Sequence, residues 1–330
     1  METKILSGEQ GIKAGAEIVR AGGVVAFPTE TVYGLAANAF DPQAVRAVFA
    51  AKGRPMDNPL IVHLPDKNQI GRVTRGYDKK YEVLVETFMP GPLTLVMPRG
   101  SDIPDEVTAG LDTVGVRVPS HPVCARFLAA TGVPVAAPSA NLSTRISPTS
   151  ARHVFEDMNG RIPLIIDGGE CEVGIESTVL DITGEAPVVL RPGAVTAEMI
   201  AHVLGEDVKS HSGKVLAAAP APGMKYKHYA PACECVVAEN ISSALACYER
   251  QKNAGKNPVI LCRGEHAAML GGARFINLGG TDEEVCRNVY AALHKGEKTA
   301  DFIICEDLGD RGVAASVMNR VNKAAGGKRV

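Results

Sequence analysis

Five short segments of this 330-residue chain group polar side chains more densely than local structure requires. The first is Phe27-Pro-Thr-Glu-Thr-Val-Tyr-Gly-Leu35. It sets Thr29, Glu30, Thr31 and Tyr33 directly after an apolar run, where a plain turn would use Gly or Asn. The second runs from Ala51 to Leu60. Lys52 and Arg54 stand at a helix end, where the dipole favours cations. Followed by Asn58 and His63, they also suit an anion: Arg offers a bidentate fork and Lys a point charge. The third runs from Thr113 to Pro122, with Arg117 inside an apolar strand. A buried guanidinium needs an anion. A substrate carboxylate and an internal Asp or Glu satisfy that need equally well. The fourth, Ala137 to Pro148, carries Ser139, Asn141, Ser143 and Ser147 before a helix N-terminus, a favourable place for phosphate oxygens. Capping alone would explain Ser147. The fifth brings Glu176 and Ser177, then Arg191, to strand ends.

Loops of this kind converging on one sheet edge would form a cleft containing Lys52, Arg54, Arg117 and Arg191. The ligand expected there is small and polyanionic. No covalent nucleophile with its base stands out. Positioning and charge stabilisation are then the expected mechanism, as in phosphoryl and nucleotidyl transfer. P-loop, dinucleotide, HExxH and G-x-S-x-G motifs are missing.

The elements that would hold these groups alternate at first and then become strand-rich. Ser7-x-x-Gln10 has the form of a capping box, and Gly22-Gly23 closes the helix. Val24–Phe27 reads as a strand. Asp41-Pro42 opens a helix that Gly53 ends. Strands are expected at 60–64, 93–97, 114–118, 133–137, 163–166, 178–182 and 188–190. Helices are expected at 78–88, after His121-Pro122, and after Ser147-Pro148. This order predicts an α/β fold, a twisted mixed sheet with helices on its faces. Beyond residue 231, strands at 235–238, 258–262, 274–277 and 302–305 alternate with helices, which predicts a smaller doubly wound, Rossmann-like α/β domain. The expected division is 1–205, a basic linker or lid at 206–231, and 232–330.

Composition narrows the function classes. The 35 basic and 37 acidic side chains nearly cancel, and aromatics make up 5% with no Trp. Broad base-stacking platforms for single strands are therefore disfavoured. The balance hides a split: residues 1–200 hold 18 Lys/Arg and 23 Asp/Glu, the remainder 17 and 14. Val208–Pro231 carries four lysines, two histidines and no acid, and packs Tyr, Met, Lys and His around Pro222–Pro231. Such a segment suits docking onto something anionic. No window approaches 18 consecutive apolar residues, and the N-terminus lacks an apolar signal core, so a cytoplasmic, non-membrane protein is expected. The eight cysteines are spread from Cys124 to Cys305 without CxxC and read as small buried residues.

Taken in order, PTETVYGL (28–35), KGRPMDNPLIVH (52–63), PGPLT (90–94), VGVRVPSHP (114–122), PSANLS (138–143), SPT (147–149), GIEST (174–178), LRPG (190–193) and PGMKYKHYAP (222–231) resemble the L-threonylcarbamoyl-AMP synthases in their long form, with a YrdC-type catalytic domain and a C-terminal α/β domain. The resemblance implies a nucleotidyltransferase that converts L-threonine, bicarbonate or CO2, and ATP into threonylcarbamoyl-AMP, pyrophosphate and water. It implies that Thr31, His63, Arg117, Ala137 and Ser177 bind threonine. It implies that Arg54, Asn58, Thr113, Ser139, Ser147, Arg191 and Tyr229 bind ATP, that Lys52 and Arg54 are catalytic, and that Lys225, His228 and Tyr229 form a lid. Mg2+ would arrive on ATP with no protein-only metal site. The product would pass to a tRNA-modifying transferase complex. Thr144 departs from the family pattern, where Gly often follows Asn-Leu-Ser, as do Ala36, Met89 and Ala221. Two other readings fit the charge split and the loops: a double-stranded RNA, tRNA-binding or ribosome-maturation module, and a carbamoyl-transfer enzyme with another acceptor.

Overall fold

A computed structural model describes residues 1–211 and 229–330. These fall into two compact units. The first comprises Met1–Ser143, Pro148–Glu172 and residues 176–211. The second comprises Thr144–Ser147, Val173–Ile175 and residues 229–330.

The strands of the first unit are β1 (Lys4–Ser7), β2 (Val25–Phe27), β3 (Gly34–Asn38), β4 (Ile61–His63), β5 (Leu93–Pro98), β6 (Thr113–Arg117), β7 (Val135–Ala137), β8 (Leu164–Asp167), β9 (Thr178–Asp181), β10 (Val188–Arg191) and β11 (Lys209–Ser210). They form one sheet in the order β1-β8-β2-β3-β7-β4-β6-β5-β9-β10-β11. Parallel pairs such as β4/β6 and β5/β9 mix with antiparallel pairs such as β4/β7 and β5/β6. The mixed sheet expected from the sequence is therefore present.

Its helices are α1 (Gly8–Arg20), α2 (Pro42–Lys52), α3 (Glu82–Phe88), α4 (Asp105–Thr108), α5 (Pro122–Thr131), α6 (Ala151–Met158) and α7 (Ala197–Leu204). Asp41 caps α2 through the Gln43 and Ala44 amides, and Gly53 ends it with a left-handed φ of 60°. That conformation costs glycine nothing, so the chain turns sharply after Lys52. Ser7 is the α1 N-cap residue but makes no side-chain cap bond, so the expected capping box does not form. Helix α6 starts three residues later than expected, capped by Ser150 through the His153 amide, so Ser147 is not its cap.

Register assigns the faces, because residues opposite one another point the same way. Val62, Leu95, Val116, Ala136 and Leu180 join Val45, Phe49, Leu84, Val85 and Ile200 in the largest apolar cluster. Helices α2, α3 and α7 thus cover that face. On the other face, Val25, Phe27, Ala36 and Ala137 pack against Ile12 and Val19 of α1 and Phe127 and Leu128 of α5. Farther along this second face, His63 lies opposite Arg117, and Ile61 lies opposite both Gly115 and Ala137.

The second unit contains β12 (Glu234–Ala238), α8 (Ile241–Asn253), β13 (Pro258–Cys262), β14 (Phe275–Asn277), α9 (Asp282–Thr299), β15 (Phe302–Glu306) and α10 (Gly312–Ala324). The four strands are all parallel, in the order β12-β15-β13-β14. A full capping box, Thr281 with Glu284, starts α9. All eight cysteines are free thiols, and seven are buried, Cys233 being partly exposed.

Candidate active site

The second face of the large sheet carries His63, Arg117 and Ala137. Each is the last residue of its strand, where the following loop begins, and all three share this face. The physical reason lies in the side-chain period of two. His63 and Arg117 are the last residues of neighbouring strands β4 and β6 and stand in register on one face. Gly115 leaves that face open between them and the strand starts. A Cβ there would meet Thr94 Cγ2 at 3.3 Å and Ile61 Cγ1 at 3.6 Å.

Arg117 is 3% exposed. Its Nε donates to Gly91 O (3.2 Å), its Nη1 donates to Thr31 Oγ1 (2.8 Å), and its Nη2 lies 2.7 Å from Glu30 Oε1. Glu30 is thus the internal acid that sequence reasoning left as one of two partners for Arg117. Thr29 fixes the loop that carries Glu30: its Oγ1 accepts from the Thr31 and Val32 amides at 3.1 and 3.2 Å. The loop is the connection of the β2–β3 hairpin, because Gly34–Asn38 returns antiparallel to β2. The sequence reading missed strand β3.

His63 is buried, with Nδ1 3.1 Å from Ile61 O and its ring edge-on to Phe27. Burial, reinforced by the Arg117 charge, lowers its pKa to about 3, so the imidazole is neutral at ordinary pH. Ser177 and Arg191 close this side. Arg191 Nε donates to Ser177 O (3.1 Å) and its Nη2 to Ser177 Oγ (3.2 Å). The Ser177 hydroxyl also lies 2.8 Å from Thr94 Oγ1. Thr94 was missed; the pairing of Leu95 with Val116 puts it on the same face as Arg117.

Lys52, the last residue of α2, is 3% exposed. Its Nζ donates to Ser139 O (2.5 Å) and Asn141 O (2.6 Å), and Ser143 N donates back to Lys52 O (2.9 Å). The amine therefore fastens the loop after β7. Burial, with the Arg54 charge second, holds its pKa well below the usual lysine range. Arg54 donates to Asn58 O (3.2 Å), and its guanidinium stands 5.7 Å from the Phe49 ring centroid. Asn58 is fully buried, and neither its side-chain oxygen nor its nitrogen has a hydrogen-bond partner.

Ala137 ends β7 opposite Ile61, and Ser139 bridges to Gly34. Thr113 opens β6 opposite Pro98, at the far end of that strand from Arg117. Ser147 and Tyr229 cluster with the second unit. There the Ser147 carbonyl accepts from His294 Nε2 (3.3 Å), and the Tyr229 ring stands 5.5 Å from that of Tyr290. Lys225 and His228, expected in a lid, lie outside the described residues. Among the described residues, no three or more His, Cys, Asp or Glu side chains are grouped to hold a metal ion. No helix among them is long and apolar enough to cross a membrane.

This combination defines the class: a two-unit α/β protein whose large mixed sheet presents a buried cationic face. A family model described as "Telomere recombination" (Sua5, YciO, YrdC) matches residues 17–193, and one described as "Threonylcarbamoyl-AMP synthase, C-terminal domain" matches 195–326. The chain belongs to the two-domain Sua5 family of threonylcarbamoyl-AMP synthases. It is 44% identical over 327 residues to the threonylcarbamoyl-AMP synthase of Pyrococcus abyssi, covering 96% of this chain and 94% of that one. It is 42% identical to the Bacillus subtilis synthase, covering 96% and 93%. The crystal structure of P. abyssi Sua5 complexed with L-threonine superposes with a TM-score of 0.93 at 41% identity, covering 100% and 99% of the two chains. E. coli YciO, at 23% identity and a TM-score of 0.52 over 58% of this chain and 95% of its own, shares the fold of the first part.

Proposed function

We propose that the chain condenses L-threonine, bicarbonate or CO2, and ATP into threonylcarbamoyl-AMP, releasing pyrophosphate and water, and that the buried sheet face is where it does so. The observation that carries this reading is the in-register pair of His63 and Arg117 on that face, beside Thr31 and Ser177. A neutral imidazole next to a guanidinium offers one cation for a carboxylate and uncharged polar groups for a hydroxyl. In this reading Thr31, His63, Arg117, the Ala137 backbone and Ser177 hold threonine.

Arg54, Asn58, Thr113, Ser139 and Arg191, all in the first unit, are the proposed ATP ligands. The buried Asn58 amide, with no protein partner, fits a ligand that supplies both donors and acceptors. Lys52 would neutralise charge where the carbamate attacks the α-phosphate. Its pKa is low because it is buried beside Arg54, and approaching phosphate charge favours its protonated form. The face offers cations and amides. Mg2+ would then be carried by the nucleotide's phosphates and would supply charge neutralisation there. The product would pass to a tRNA-modifying transferase in the cytoplasm, and any RNA contact would be weak and salt-sensitive. Pyrophosphate release by the purified protein tests the reading. It should require threonine, bicarbonate and Mg-ATP together, and its absence with all three present would refute it.

A further inference from the structure

The amino-acid site proposed above leaves the charge of Glu30 without a role. Glu30 is 2% exposed, and its Oε1 lies 2.7 Å from Arg117 Nη2, yet neither carboxylate oxygen takes part in a hydrogen bond. An ionised carboxylate offers about four acceptor positions. The ion pair offsets the cost of burying its charge but leaves those positions unused. Glu30 is also held in place: Thr29 Oγ1 accepts from the Thr31 and Val32 amides that follow it. Arg117 has used Nε on Gly91 O and Nη1 on Thr31, which leaves Nη2 directed at Glu30.

Two opposite charges fixed side by side in a buried site match a ligand that carries two opposite charges on one carbon. An α-amino acid zwitterion can lay its carboxylate toward Arg117 and its ammonium toward Glu30, so that one ion pair is replaced by two. A simple carboxylate gains the first contact only, and it must compete with Glu30 for the guanidinium. We propose that Glu30 receives the α-ammonium of the amino-acid substrate and that the Glu30–Arg117 pair selects a zwitterion over a plain hydroxy acid. This inference rests on the amino-acid site of the preceding subsection. Glu30 acts here as a substrate-binding residue, and no covalent step is attributed to it.

Calorimetry with L-threonine and with (R)-3-hydroxybutanoate, which is threonine without its amine, tests this on the full chain. The unaltered protein should bind L-threonine at least about tenfold more tightly, the scale of a charge-assisted hydrogen bond. In Glu30→Gln, threonine affinity should fall by about tenfold or more. Affinity for (R)-3-hydroxybutanoate should stay level or rise, because Arg117 has lost its competing anion. A parallel loss for both compounds, or unchanged threonine binding, would mean that Glu30 serves only to hold Arg117 and would overturn the proposal. If Glu30→Gln does not fold, Glu30→Asp keeps the charge but withdraws it, and the same divergence between the two compounds is required. Equal affinity of the unaltered protein for both compounds also overturns the proposal, with no variant needed. Binding of neither compound refutes the amino-acid site itself, a result distinct from a failure of Glu30 alone.

Discussion

Arg117 and His63 occupy equivalent positions on neighbouring strands, and burial acts on them differently. Arginine keeps its charge and is held by Glu30, Thr31 and Gly91. Histidine gives its charge up, with its pKa lowered to about 3 by burial and the nearby guanidinium. The unfolded chain, with an ordinary imidazole near 6.5, binds a proton that the folded state refuses. The contribution of His63 to stability is therefore complete above about pH 6.5 and is lost as pH falls toward 3, at up to ~1.4 kcal/mol per pH unit. Urea denaturation across that window should show a shallower decline for His63→Gln; an identical decline would remove His63 as its source. Arg117→Ala should weaken threonine binding by about tenfold or more, the range for truncating a buried charged contact, while ATP binding changes little. Equal losses for both would remove Arg117 from its place in the amino-acid site. At this scale the sequence was informative: an arginine inside the apolar run Val114–Val118 announces a buried cation. Which anion answers it was not legible, because Glu30 and Arg117 are brought together only by the hairpin and the sheet.

At the scale of elements, loops are held by close approaches that tolerate little change. Gly193 follows Arg191, and a Cβ on it would meet Thr178 N at 2.4 Å and Thr178 Oγ1 at 2.7 Å. Gly193→Ala should push this loop off the start of β9 and loosen the Arg191–Ser177 contacts. A loss of about 1–3 kcal/mol is expected, as for overpacking, with activity falling alongside. An unchanged denaturation midpoint would show that the loop adjusts freely. Thr144 presents the reverse case. Its φ is 73°, a left-handed conformation that a β-branched residue adopts only under strain. Thr144→Gly should therefore stabilise the protein by about 1 kcal/mol, relief of strain outweighing the added freedom of the unfolded chain. A lower denaturation midpoint would contradict the strain. The regular elements were mostly legible: Asp41-Pro42 and Gly53 bracket α2, and 258–262 is β13. The misses have a common cause. Strand β3 holds Gly34, Ala36 and Ala37, small residues with weak strand preference that are fixed by pairing with β2 and β7. Ser147 looked like a cap beside Pro148, but tertiary context moved the helix start to Ser150.

Across the whole molecule, near-neutral charge conceals a buried cationic face in an otherwise acidic first part of the chain. The sequence pattern located the cations but not the face they share. Assigning them to a face requires the register of β4, β6 and β7, which a single sequence does not contain. The excursions Thr144–Ser147 and Val173–Ile175, which cluster with the second unit, were equally invisible to a division along the chain. Inside that unit Glu297 accepts from Arg145 (2.9 and 3.0 Å) and from the Ala232 amide (2.7 Å), linking residues far apart in sequence. The central claim is that this chain joins three small substrates on one buried face. The most direct test follows pyrophosphate and the adenylate product together, with each substrate omitted in turn. Stoichiometric pyrophosphate and threonylcarbamoyl-AMP are expected only when L-threonine, bicarbonate and Mg-ATP are all present, with a loss of about a hundredfold or more in Lys52→Met. Pyrophosphate released at full rate without threonine, or no adenylate with the complete set, would contradict it.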